Sequence, residues 1–155
     1  MNRTTVAILL GAALTAAGAA AAPADHWTQA DLLKTAQGLK AKAAATGSAS
    51  NTLATYTNHH TMLAYRTKDG GAEVHTNYAD VFYVVRGQAT LLTEGTVQNS
   101  KEESPGEIRG TGIDGATSTV LKKGDFVHIP AGTPHQLLIP KGKTFVYFVI
   151  KVKES

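Results

Sequence analysis

The chain contains no cysteine. That excludes disulfides, thiolate nucleophiles and cysteine-ligated metal sites, so the fold must be held by its core alone, which suits a closed β-structure. A strong charge of either sign is also missing. Fifteen Lys+Arg stand against 12 Asp+Glu, with no dense basic run, and this balance does not point to nucleic acid. No Gly-x-Ser-x-Gly elbow is present, so a hydrolase triad has no anchor. Two stretches imitate nucleotide loops without their context. Gly110-Thr111-Gly112-Ile113-Asp114-Gly115 follows no clear strand and precedes β-branched residues, and Gly142-Lys143-Thr144 precedes no helix.

What is there points to one domain. A length of 155 residues with 43% hydrophobic content can bury a core without staples. Residues 1–24 read as a secretory signal: Arg3 starts it, Val6 to Leu14 form a short apolar run, and small residues from Ala20 to Ala24 suit cleavage. Loss of that segment lowers the formal charge from +3 to +2, because Arg3 is its one charged residue. The expectation is a periplasmic or secreted protein with no membrane segment after cleavage. Residues 25–50 would then form a helix and linker, and residues 51–155 the main domain.

Thr28 followed by Asp31 matches a capping box with Asp in the usual Glu place, and Leu32, Leu33, Ala36 and Leu39 recur at helical spacing. A helix from about Gln29 to Ala45 is expected, ended by Gly47 and packed outside the β-domain. Strands follow at Leu53–Thr57, Thr61–Thr67, Ala72–Thr76, Val81–Val85 and Ala89–Thr93. Residues 98–116 hold few apolar residues and several glycines, which predicts a long loop or lid. Strands resume at Thr117–Leu121, Asp125–Ile129, Gln136–Ile139 and Phe145–Val152. Many short strands separated by turns imply an all-β sandwich or barrel. The aromatic residues, including Tyr78, Phe82, Phe126 and Tyr147, are expected in the core or lining a mainly apolar pocket.

Two stretches combine β-type alternation, glycine or proline corners and metal-binding side chains. The second carries Gly124, Pro130, Gly132 and His135 at the spacing Gly-x5-Pro-x-Gly-x2-His. The first carries Glu73-x-His75-x4-Asp80-x6-Gly87. Together they resemble the paired motifs of the cupin superfamily. The second motif fits fully, although the family's trailing asparagine place holds Ile139. The first has Glu73 and Asp80 where the family has histidine and glutamate. A rival alignment uses His75 and Asn77 as the histidine pair but shortens the turn before Asp80.

The resemblance implies an all-β, cupin-type β-barrel (double-stranded β-helix, or jelly roll) with one N-terminal α-helix. It implies a divalent metal ion, Fe, Mn, Ni or Zn, held by Glu73, His75, Asp80 and His135. Such a mixed N/O donor set suits those ions and leaves positions open for substrate or water. Strand alternation puts Glu73 and His75 on one face. Asp80 is one methylene shorter than Glu and reaches less far. Glu73 has a second use available, pairing with Arg66 across the hairpin. His128 shares its strand face with Phe126; if that face is the cavity, His128 is a catalytic acid/base group or substrate contact. His59 and His60 are adjacent, point to opposite faces and are expected at the surface. Two functions stand side by side: a metalloenzyme acting on a small organic molecule, or a metal-free module binding a small ligand under the 98–116 lid. Cupins are commonly dimers, so a homodimer is expected from the resemblance.

Overall fold

A computed structural model describes residues 22–154. The secretory segment read from the sequence lies almost wholly outside those residues. Helix α1 (Gln29–Lys42) opens with the expected capping box: Asp31 N–H donates to Thr28 Oγ1, and Thr28 N–H donates to the Asp31 carboxylate at 3.0 Å. Its buried residues Leu32, Ala36 and Leu39 pack on Leu63, Tyr65, Val85 and Val146. The helix thus covers the outside of the sheet, as its periodicity predicts. It stops at Lys42, short of Ala45, and Gly47 N–H closes the end by donating to the Ala43 carbonyl at 2.8 Å.

Twelve strands follow: β1 (Ser48–Thr55), β2 (His59–Arg66), β3 (Ala72–His75), β4 (Tyr78–Thr93), β5 (Thr96–Gln98), β6 (Lys101–Ser104), β7 (Glu107–Gly110), β8 (Gly112–Asp114), β9 (Thr117–Lys122), β10 (Phe126–Ile129), β11 (His135–Leu138) and β12 (Phe145–Lys153). The main sheet runs β1-β2-β12-β4-β11-β3-β7-β6, with β9 and β10 also paired to β4, while β5 and β8 form a separate ribbon. Strand β4 organises the curl. Its first half pairs with β12 and β10, its second half with β11 and β9. The curled sheet encloses a core that includes Phe82, Leu91, Leu121, Ile129, Leu137 and Phe145.

Three expectations need correction. Residues 98–116 are not a loop: β6, β7 and β8 lie there, with β5 ending at Gln98. These strands are short; every residue of β6 is exposed and none of β7 is fully buried. Apolar alternation, which reports a buried face, is therefore missing, while backbone pairing to β3 supplies the order. Strand β1 begins at Ser48 rather than Leu53, because pairing with β2 orders a polar stretch and carries the sheet across residue 50. Val81–Val85 and Ala89–Thr93 are parts of one 16-residue strand, which passes through Gly87 at φ 88° instead of ending there.

Candidate metal centre

Cross-strand register builds the site. Strand β3 carries Glu73 and His75 two residues apart, and β7 runs antiparallel beside it. The register sets Glu73 opposite Arg109 and His75 opposite Glu107. On the other side of β3, β11 places His135 opposite Glu73. Asp80 comes from β4, and β12 puts Lys151 directly opposite it. The turn before β11 is tied to β3 by the Gly132 N–H, which donates to the His75 carbonyl at 2.8 Å. This hydrogen bond joins the two sequence motifs.

The side chains converge in a pattern that fixes the histidine tautomers. His75 Nδ1 lies 2.7 Å from Glu107 Oε2, and His135 Nδ1 lies 3.0 Å from the Thr133 carbonyl oxygen. A carboxylate and a carbonyl only accept, so both Nδ1 atoms carry a proton, and each ring turns its Nε2, the atom a neutral imidazole offers a metal, toward the acidic groups. These Nε2 atoms lie 3.5 and 3.6 Å from the same oxygen, Asp80 Oδ2. His75 Nε2 is also 3.3 Å from Glu73 Oε2, yet it is buried without a hydrogen-bond partner among the described residues. Charge-assisted hydrogen bonds are shorter, about 2.7–2.9 Å. One donor atom each from Glu73, His75 and His135 lies within 4.8 Å of the others. Two Nε2 atoms and carboxylate oxygens converging at these distances call for a positive charge among them, a proton on Nε2 or a metal ion, and the mixed nitrogen and oxygen donor set fits a divalent ion. The contact from Glu107 to His75 is the carboxylate–histidine arrangement that orients a metal-bound imidazole.

The carboxylates have cationic partners as well. Arg109 Nη1 donates to Glu73 Oε2 at 3.2 Å and Nη2 to Glu107 Oε2 at 3.1 Å. Arg66 Nη2 is 3.6 Å from Glu73 Oε1, so the pairing of Glu73 with Arg66 and its place beside His75 coexist. Lys151 Nζ donates to Asp80 Oδ1 at 2.6 Å, leaving Oδ2 toward the histidines. Burial alone would raise the Glu73 carboxyl; the neighbouring His75, Arg109 and His135 outweigh it and hold it at about 2. Burial likewise opposes ionisation of Asp80, and His135 and Lys151 prevail and lower it. Burial raises the Tyr147 phenol, whose oxygen accepts from Arg66 Nε at 3.1 Å.

The Glu73 value has a consequence for acid stability. Its folded value lies below the ordinary 4.5, so its contribution is present above pH 4.5 and is lost as pH falls through about 2. In metal-free protein, Glu73→Gln is expected to flatten the decline of unfolding free energy across that window, a difference on the order of 3 kcal/mol. Urea unfolding at stepped pH measures it, and parallel curves for the two proteins would refute the assignment. Glu107→Gln tests the support behind His75: metal affinity is expected to fall roughly 10- to 100-fold, read by competition with a chromogenic chelator. An unchanged affinity would show that Glu107 does not orient the ring.

A cavity of about 610 Å³ opens over this cluster, lined by Glu73, His75, Asp80 and His135 and by apolar residues such as Met62, Phe82 and Val149. His128 is not among its lining residues. Burial of Ile129 and partial burial of Val127 turn the alternate positions outward, so His128 is exposed beside Phe126, which is 67% exposed. The expected catalytic role of His128 and the expected burial of Phe126 therefore fail for one reason: their shared face is the outer one. Asn77, the rival ligand, is exposed in the turn after β3. His60 departs from its surface expectation. It is half-buried and lines the cavity, in the cross-strand row His60–Lys151–Asp80. Sequence reasoning missed Glu107, Arg109 and Lys151. The alternation Glu107-x-Arg109 mirrors Glu73-x-His75 in charge, the one signal that would have paired those strands.

No protein-family model and no curated protein matches the chain. Solved structures do. The polyketide cyclase RemF from Streptomyces resistomycificus superposes with a TM-score of 0.52 at 15% identity, over 69% of this chain and 66% of that one. The Schizosaccharomyces pombe Cnp3 cupin domain gives 0.53 at 8% identity, over 69% and 65%. A recombinant oxalate oxidase in complex with glycolate gives 0.51 at 14% identity, over 72% and 53%. The match thus spans less than two thirds of each of those chains. At such identities the likeness shows the fold, and the fold is of the cupin type: a double-stranded β-helix with one N-terminal helix.

Proposed function

We propose that this protein binds a divalent ion, Fe(II), Mn(II), Ni(II) or Zn(II), through Glu73, His75, Asp80 and His135, and acts on a small organic molecule in the cavity above them. The observation carrying this reading is the pair of Nε2 atoms set 3.5 and 3.6 Å from Asp80 Oδ2, one of them buried without a hydrogen-bond partner among the described residues. When bound, the ion would supply Lewis acidity. The chain's own residues hold and orient: Glu107 and the Thr133 carbonyl fix the ring tautomers, and Lys151 keeps Asp80 Oδ2 turned inward. Met62, Phe82 and Val149 give the cavity an apolar wall. Solved neighbours of the fold include a polyketide cyclase and an oxalate oxidase, which agrees with small-molecule chemistry without choosing a reaction. Export to the periplasm or medium, supported by the composition of residues 1–24, and assembly as a homodimer belong to the same proposal.

Elemental analysis of protein purified without added metal tests the centre. Near-stoichiometric Fe, Mn, Ni or Zn is expected; near-zero occupancy with no uptake on adding those ions would overturn it. One observation favours a metal-free ligand-binding module: Arg66, Arg109 and Lys151 already pair with Glu73, Glu107 and Asp80. On that reading the protein takes up no metal at any occupancy.

A further inference from the structure

The charged side chains lining the cavity balance without an ion. Glu73, Asp80 and Glu107 face Arg66, Arg109 and Lys151, and among the described residues the lining holds no other carboxylate, lysine or arginine. A histidine that ligates a metal does so as neutral imidazole, so His75 and His135 add no charge when the ion is bound. A divalent ion among these groups therefore leaves the enclosure with an excess of two positive charges. Uncompensated charge in a largely buried site is costly, and a counter-ion relieves it.

Resting on the metal-binding reading above, we infer that the small molecule taken by this cavity is an organic acid, its carboxylate directed to the metal centre and Lys151. Position identifies Lys151, which pairs with the carboxylate that both histidines face. An ammonium has three N–H donors, and Asp80 Oδ1 takes one. A guanidinium has five N–H donors, so Arg66 and Arg109 keep donors too, but the carboxylates they pair with are Glu73 and Glu107, whereas both histidine Nε2 atoms face Asp80. Lys151 occupies one oxygen of Asp80 while the histidines face the other. The ammonium and the metal centre are thus neighbours along one carboxylate edge, and a ligand carboxylate laid beside Asp80 meets both. The cavity, about 610 Å³, is too large for the carboxylate alone. Met62, Phe82, Leu137 and Val149 supply an apolar wall for the rest of the molecule.

The test is calorimetric titration of Mn(II) and of Zn(II) into the full protein, alone, with hexanoate and with hexanamide, two probes of the same length that differ in charge. Hexanoate is expected to tighten metal binding roughly tenfold, with metal tightening hexanoate by the same factor, because linkage is reciprocal. Hexanamide is expected to change it less than about twofold, within the range of weak coupling. Lys151→Gln should keep a metal site and lose most of the hexanoate effect. Equal effects of hexanoate and hexanamide, or hexanoate binding that ignores the metal, would overturn the inference and leave the metal centre standing. Absence of any metal binding would overturn the centre itself. Full retention of the hexanoate effect in Lys151→Gln would remove Lys151 from the site. The wild-type comparison of the two probes decides the charge question even where the variant folds poorly.

Discussion

Replacing His75 with alanine is expected to remove most of the metal-dependent stabilisation while leaving the metal-free fold nearly unchanged. His75 is buried, offers Nε2 toward Asp80 and Glu73, and is oriented by Glu107 through Nδ1. Removing a supporting group behind a ligand costs about 10- to 100-fold in affinity, so removing the ligand should cost more than about a hundredfold. An ion present at a hundred times its dissociation constant stabilises the wild-type protein by about 2.7 kcal/mol, or roughly 10 °C in midpoint for a domain of this size. His75→Ala should keep no more than about 0.4 kcal/mol of that at the same ion concentration, because a site at least a hundredfold weaker is at most half filled. Its metal-free stability should stay within about 1 kcal/mol of wild type, because the loss of the Glu107 contact is offset by removal of a buried, unpartnered nitrogen. Thermal unfolding with and without Mn(II) or Zn(II) reads both quantities. An undiminished shift in the variant would place the ion elsewhere; unfolding of the metal-free variant would make His75 a structural residue.

The second large effect concerns the fold. Gly87→Ala is expected to destabilise the protein by on the order of 4 kcal/mol, through backbone strain at positive φ and through steric overlap. Gly87 has φ 88° and pairs with Phe145, whose side chain is fully buried. A Cβ at position 87 would overlap the Thr144 carbonyl oxygen and approach the Phe145 Cα at 3.3 Å. Both obstacles are backbone atoms and cannot turn aside. Gly124 separates the two causes: it has φ 92° but nothing within 4 Å of an added Cβ. Gly124→Ala should therefore cost only the conformational component, about 1–2 kcal/mol. Urea unfolding of the pair provides the measurement, and equal losses would show that overlap at position 87 contributes nothing.

The glycines of the two motifs illustrate why much of the fold was legible. Gly87, Gly124 and Gly132 all have positive φ, a backbone requirement that the sequence states directly. The helix was legible because Leu32, Ala36 and Leu39 repeat at helical spacing over a capping box. Strands β2, β10, β11 and β12 were legible because each holds a run of apolar or aromatic residues. The segment holding β6 and β7 was not, because its pairing is carried by backbone hydrogen bonds and by charges such as Glu107 and Arg109. Those charges become informative only once their partners on β3 are known. His128 failed for a related reason. Alternation says that it shares a face with Phe126, and says nothing about which face looks inward.

By itself the sequence determined that this is a cysteine-free β-protein with a capped helix, and that Glu73, His75, Asp80 and His135 sit at the spacing of a paired motif. The spacing suffices because period-two alternation and the conformational needs of glycine and proline are local properties. Only the tertiary structure decided the rest: that Glu107 stands behind His75, that Lys151 holds Asp80, that His60 lines the cavity and that His128 lies outside it. Those facts depend on strand register and on the direction in which the sheet curls. Both are set by pairing between residues far apart in the chain, which no local pattern records.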